Sequence, residues 1–267
     1  MTVRQRRPTP HTGRAVVIMT QGSTLATGPR TGPRANWSVR VLGEFAVAGR
    51  YGPVVLPEST WRLVALLALT SQPMRRVRVA GILWGEKDDG HAQASLRSAL
   101  WRLGQAASGL VVAEQHILHL APDVHVDVHD LRDLAARLEH GDRIEPSELN
   151  VRLCCADLLP DWYDDFVEDE REPIRQLRLR ALETVARRLA ERRQFGEALE
   201  LAMLALVQAP LRETTHRLVL EIHLAEGNVS EAMRHYRHAE SLLRRELGIE
   251  PSEQLRAVLP AFADPDQ

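Results

Sequence analysis

Alternating apolar and polar residues open the readable part of the chain, and three- to four-residue periodicity replaces them further on. SVRVLG from Ser38 alternates, EFAV follows almost without a gap, and Gly49 and Gly52 bracket a turn before Val54, Val55 and Leu56. Period-two runs broken by glycine predict short strands of a small antiparallel sheet. Pro57, Ser59 and Thr60 then signal a helix start, with Leu63, Leu66, Leu67 and Leu69 on its buried side and Gln72-Pro73 as its stop. A second helix is predicted over residues 77–84, turning Val79, Ile82, Leu83 and Trp84 inward, before a polar loop over residues 85–90.

A third helix is predicted from Gly90 to Ala107. Leu96, Leu100, Leu103 and Ala107 recur at helical spacing, with Ala92 and Ala99 beside them. The far side carries His91, Ala94, Ser95, Ser98, Trp101, Arg102 and Gln105, with Arg97 on its flank. A solvated helix face is usually rich in Glu and Lys, and this one has neither. Small residues let a helix approach the floor of the DNA major groove, Ser bonds base edges or phosphates, and Arg grips guanine through two acceptors. LVVAEQHILHL follows and reads as two short strands joined at Glu114, Gln115 and His116, a hairpin. Sheet, three helices and hairpin in that order make a winged helix-turn-helix. Its third helix would enter the major groove, and its hairpin would reach adjacent backbone or minor groove.

From Val126 onward every pattern is helical. HDLRDLAARLEHG ends at Gly141, and PSELNVRLCCADLLP stops at Pro160. A long charged stretch after Asp161 begins or kinks just before Pro173. Helices over residues 195–208, 212–225, 230–247 and 252–259 complete the chain. FGEAL at Phe195 and VSEAM at Val229 repeat, with Glu197 and Glu231 spaced by 34 residues. That is the tetratricopeptide period, in which paired helices stack around a concave groove that binds peptides or protein surfaces. The expected fold is mainly α with a small β component. Residues 1–36 form a disordered basic tail, 37–125 a winged-helix DNA-binding domain, and 126–267 an all-α, tetratricopeptide-like domain.

Charge sharpens this division. The net charge of −2 splits into +6 over residues 1–36, +2 over 37–125 and −10 over 126–267. A basic front suits nucleic acid, and an acidic back points to a protein partner. Cys154 and Cys155 are the two cysteines. They read as reduced, buried small residues, which implies a reducing, cytoplasmic compartment. No run approaches the roughly 18 apolar residues of a membrane span, so no membrane is expected.

Candidate chemistry is sparse, and the chain does not read as an enzyme. His125, Asp127 and His129 suggest a metal site, but no second cluster completes a coordination sphere. Asp164, Asp165, Glu168, Asp169 and Glu170 fit the acidic start of a helix better than carboxylate chemistry. Trp84 and Trp162 read as core anchors. Lys87, the lone lysine, is not in a phosphate-binding GxxxxGK[ST] loop. No cofactor is expected.

Particular runs carry a family resemblance: WRLVALLAL, LWGE and ASLRSALWRL in the first half, LLPDWYDDFVEDEREPIRQLRLRALE and YRHAESLLRRELGIEPSEQLRAVL in the second. Over about residues 38–260 the chain resembles the Streptomyces antibiotic regulatory protein family. Its members join an OmpR-type winged helix to a bacterial transcriptional activator domain. The resemblance implies an activator of a secondary-metabolite gene cluster that binds direct repeats near the −35 region of promoter DNA, one copy beside a second. It also implies contact with RNA polymerase holoenzyme, through sigma region 4 and the C-terminal domain of the polymerase alpha chain. The expected DNA contacts are Ala94, Ser95, Arg97, Ser98, Trp101 and Arg102 on the third helix. Thr60 and Arg62 on the first helix and Gln115 and His116 at the hairpin complete the set. Arg102 is expected to read bases, and Arg97 to take the sequence-blind role. Glu86, Asp88 and Asp89, in a loop expected to face away from the groove, are the expected polymerase contacts. Gly104, where the family usually has Arg, and Gln115-His116-Ile117 in place of a Gly-Tyr hairpin depart from the family pattern. Two other readings are a ligand-responsive repressor and a tetratricopeptide-type scaffold without DNA specificity.

Overall fold

The structure is a computed structural model that describes residues 36–142, 144 and 154–259. The expected basic tail lies outside the described residues up to residue 35, as does most of the helix expected between residues 146 and 160. The first half is built from β1 (Trp37–Arg40), β2 (Ala46–Gly49), β3 (Gly52–Pro53), α1 (Glu58–Thr70), β4 (Met74–Arg75), α2 (Arg76–Trp84) and α3 (Asp89–Ala106), followed by β5 (Val111–Glu114), β6 (Ile117–Leu120) and β7 (Val124–Val126). β1, β2 and β3 pair antiparallel as expected, but the third strand falls at Gly52–Pro53 and not at Val54–Leu56, because the turn is tighter and Gly52 already pairs with Gly49. The sheet is mixed, however, because β7 joins β1 in parallel and completes the order β3-β2-β1-β7. A second sheet has the order β4-β6-β5. Its two-residue strand β4 is too short to leave a period in the sequence.

α1 buries every residue from Leu63 to Leu69, and α2 buries Val79, Ala80 and Leu83. Ile82, expected inside, is 38% exposed. In a nine-residue helix whose inner face is already filled by Val79 and Leu83, it falls on the outer side. Trp84 and Trp162 are half-buried against the core, as expected of anchors.

The second half comprises α4 (Asp127–Glu139), α5 (Asp165–Glu191), α6 (Phe195–Gln208), α7 (Glu213–Glu226), α8 (Val229–Leu247) and α9 (Glu253–Arg256). α5 starts at Asp165 and carries Pro173 inside it on the exposed side, so the proline does not mark its beginning. The repeat is visible in the backbone. Gln194 and Asn228, which precede α6 and α8, have φ/ψ of −88°/62° and −86°/62°. Ala198 and Ala232, equivalent in the two copies, are both fully buried. Cys154 is buried, and burial pushes its thiol up to about 12. Cys155, expected buried, is exposed, because neighbouring positions at a helix end point in different directions.

One hydrophobic core runs from β1 through α1 and α3 into α4, α5, α6 and α7. Backbone bonds tie the halves: Leu42 bridges Leu158, Leu159 N–H donates to Val41 O at 3.1 Å, and Gly43 N–H donates to Asp157 O at 2.6 Å. The buried carboxylate of Asp127 accepts from the N–H groups of Val41, Leu42 and Val128. Residue 125, the expected end of the first domain, falls inside β7.

Candidate nucleic-acid interface

α3 is shaped by its cap and its stripe. Asp88, in extended conformation before the first turn, accepts the His91 backbone N–H at 3.0 Å and contacts His91 Nδ1 at 2.6 Å. The His91 N–H, then the His91 ring, hold the Asp88 carboxyl below its ordinary value. Ala92, Leu96, Ala99 and Leu103 form the buried stripe. At about 100° per residue, Ala94, Arg97, Ser98 and Trp101 stand opposite that stripe. Trp101 is 67% exposed, an indole held in solvent at the middle of the face. Arg97 is exposed, and its side chain makes no hydrogen bond or ion pair among the described residues. No acid occurs from Gly90 to Ala106.

One flank of this face meets α1 and the loop after α2. Arg102 Nη1 donates to Ser59 Oγ at 2.8 Å, and Lys87 Nζ donates to Ser95 Oγ at 3.1 Å. These contacts frame an open hollow of about 720 Å³ bordered by Glu86, Asp88, His91 and Ser98. The loop therefore lies on the same side of α3 as Ser95, Ser98 and Arg102, where the sequence led to the expectation that it faces away from them. The reason is local: the link from α2 to α3 is four residues long, and the capping bond turns Asp88 back onto the helix. Asp88, expected at polymerase, is occupied as this cap, whereas Glu86 and Asp89 remain exposed.

The opposite flank meets the hairpin. Glu114 pairs with Ile117, leaving a two-residue turn of Gln115 and His116, both exposed. Gln115 adopts φ 45°, a left-handed conformation in which hairpin turns usually place Gly or Asn. A second open hollow, of about 1070 Å³, separates this turn from Gln93 of α3.

Two expected contacts are corrected. Thr60 is fully buried and its hydroxyl donates to Pro57 O at 2.7 Å, closing the first turn of α1. Arg62 Nε pairs with Asp164 at 2.6 Å, just before α5, so its charge braces the two halves. Ser59 and Lys87, which hold the flank of α3, were not legible, because their contacts depend on how α1 and the loop pack. The imagined metal site is dispersed as well. Asp127 serves backbone donors, His125 Nε2 pairs with Asp130 at 2.7 Å, and His129 Nε2 lies 2.8 Å from Ala68 O. Among the described residues, no group of three metal-ligating side chains assembles. No helix among them is long and apolar enough to cross a membrane.

The helical half matches the bacterial transcriptional activator domain family over residues 151–261. The whole fold is similar to that of Mycobacterium tuberculosis EmbR, solved in complex with a low affinity phosphopeptide. The TM-score is 0.63 at 20% identity, over 84% of this chain and 64% of EmbR. This chain thus spans less than two thirds of that protein's length. No curated protein matches the sequence significantly. The match over the helical half supports the resemblance to the Streptomyces antibiotic regulatory protein family, and the likeness to EmbR shows a shared fold.

Proposed function

We infer that this protein is a sequence-specific DNA-binding transcriptional activator that inserts α3 into the major groove. The observation that carries this reading is the acid-free face of α3, with Arg97, Ser98 and Trp101 exposed opposite a fully buried stripe. The hairpin flanks that face, as a wing flanks a recognition helix. Arg97 and Ser98 reach base edges, and Trp101 packs on sugars or thymine methyl groups.

Two copies lie head to tail on direct repeats near the −35 region. Glu86 and Asp89, exposed beside the DNA-facing side, meet the basic DNA-binding region of sigma, and the activator domain offers its acidic surface to the C-terminal tail of the polymerase alpha chain. The regulated promoters belong to a secondary-metabolite gene cluster, as the resemblance implies.

The test is transcription by purified polymerase from a promoter carrying two copies of a duplex site enriched by the full chain. The full chain raises transcript yield when the repeats sit on one DNA face, about 10–10.5 base pairs or a multiple apart. Half a turn inserted between them abolishes the gain. Repression, or activation indifferent to spacing, contradicts this reading.

A further inference from the structure

The hollow between α3 and the hairpin has a basic floor. Arg75 and Arg76 lie at the step from β4 into α2, with Gln93 on one side and the Gln115-His116 turn on the other. Floor and turn form one braced unit, because Arg75 pairs with Ile117 across β4 and β6 and Arg76 N–H donates to His116 O at 2.8 Å. Arg75 is exposed and uses no side-chain atom to cap α2. Arg76 Nε is buried and has no hydrogen-bond partner. A buried donor without an acceptor is costly to keep, so the Arg76 guanidinium gains by turning outward to meet an anionic oxygen in the hollow. Glu114 is the acid bordering the hollow, and the two arginines outweigh it.

We propose that this hollow seats the phosphodiester strand of duplex DNA lying between the groove that α3 enters and the groove beside the hairpin turn, with Arg75 and Arg76 as its phosphate contacts. The inference rests on the reading of α3 as the major-groove element. A strand leaving that groove passes between the helix and the wing, which is where the hollow opens. The turn offers Gln115 and His116 in place of a permanent cation, so the charge is supplied from beneath it.

The test uses the full chain, a duplex it enriches from a random pool, and a random-sequence duplex of equal length. Affinity is measured over a salt series for the wild type, Arg75→Gln/Arg76→Gln and Arg75→Lys/Arg76→Lys. Each lost phosphate contact reduces the slope of log K against log salt by about one. The Gln pair is expected to reduce it by about two on both duplexes and to weaken both by the same factor, while the Lys pair keeps the wild-type slope. If the Gln pair does not fold, Arg75→Gln alone, at an exposed position, is expected to lose about one. An unchanged slope in a chain that still prefers its enriched duplex overturns the seat and leaves the α3 reading standing. A loss confined to the enriched duplex makes the arginines base readers and overturns the phosphate assignment. Wild-type binding with no salt dependence overturns the DNA reading and the seat together.

Discussion

Arg97 and Arg102 differ in what holds them. Arg102 is tethered to Ser59 at the edge of the face, above the start of α1, while Arg97 stands near its middle without a partner. The geometry therefore favours the reverse of the roles expected from sequence: Arg97 for bases and Arg102 for backbone. Arg97→Ala is expected to cost about 1–3 kcal/mol on an enriched duplex and much less on random DNA, read by mobility shift. Arg102→Ala should weaken both alike. The buried stripe of α3 was legible because helical periodicity is local. The fates of Thr60, Arg62 and Asp88 were not, since a buried hydroxyl, an ion pair to Asp164 and a capping bond depend on where the backbone turns. Asp88→Ala is accordingly expected to lower the denaturation midpoint through loss of the α3 cap, with Asp88→Asn restoring most of it. Equal midpoints for the wild type and Asp88→Ala would show that the cap does not stabilise the fold.

Among the elements, the long helices and the 34-residue repeat were readable because each extends over several turns. β4 and the parallel β1–β7 pairing were not, since two or three residues carry no period and parallel partners lie far apart in sequence. The α7–α8 hairpin also holds a contact that its periodicity does not reveal. His216 Nε2 lies 2.7 Å from Pro210 O and therefore donates, so in the neutral ring Nδ1 accepts from His235 Nε2 at 3.0 Å. Burial, then the neighbours His216, His223 and His238, pushes His235 down to about 4, and burial lowers His216 as well, against the pull of the Pro210 carbonyl and then Glu213. In the unfolded chain both titrate near 6.5. Below that value the unfolded state binds more protons, so this stability is whole above pH 6.5 and is lost as pH falls towards 4. The thermal midpoint of the wild type is expected to drop more steeply across that window than that of His235→Gln. Parallel pH profiles would count against the pair as the source of acid sensitivity.

Across the whole molecule, the strong charge difference between the halves was legible from composition, but their union was not. The continuous core, the strand β7 and the Asp127 carboxylate join the winged helix to the helices behind it. Burial raises the Asp127 pKa against the pull of its three N–H donors. Asp127→Ala removes the acceptor for the Val41, Leu42 and Val128 N–H groups, and it is expected to cost at least about 2 kcal/mol in chemical denaturation. A fragment ending at residue 125 would cut β7 and lose Asp127 altogether, so DNA binding is best measured on the full chain. That α3 reads sequence is tested most directly by the ratio of affinities for an enriched and a random duplex at one physiological salt concentration. The expected ratio for the wild type is about 10³ or more, falling by at least about tenfold in Arg97→Ala/Ser98→Ala while random-duplex binding is nearly kept. A wild-type ratio near one, or a ratio that the double substitution leaves intact, would contradict it.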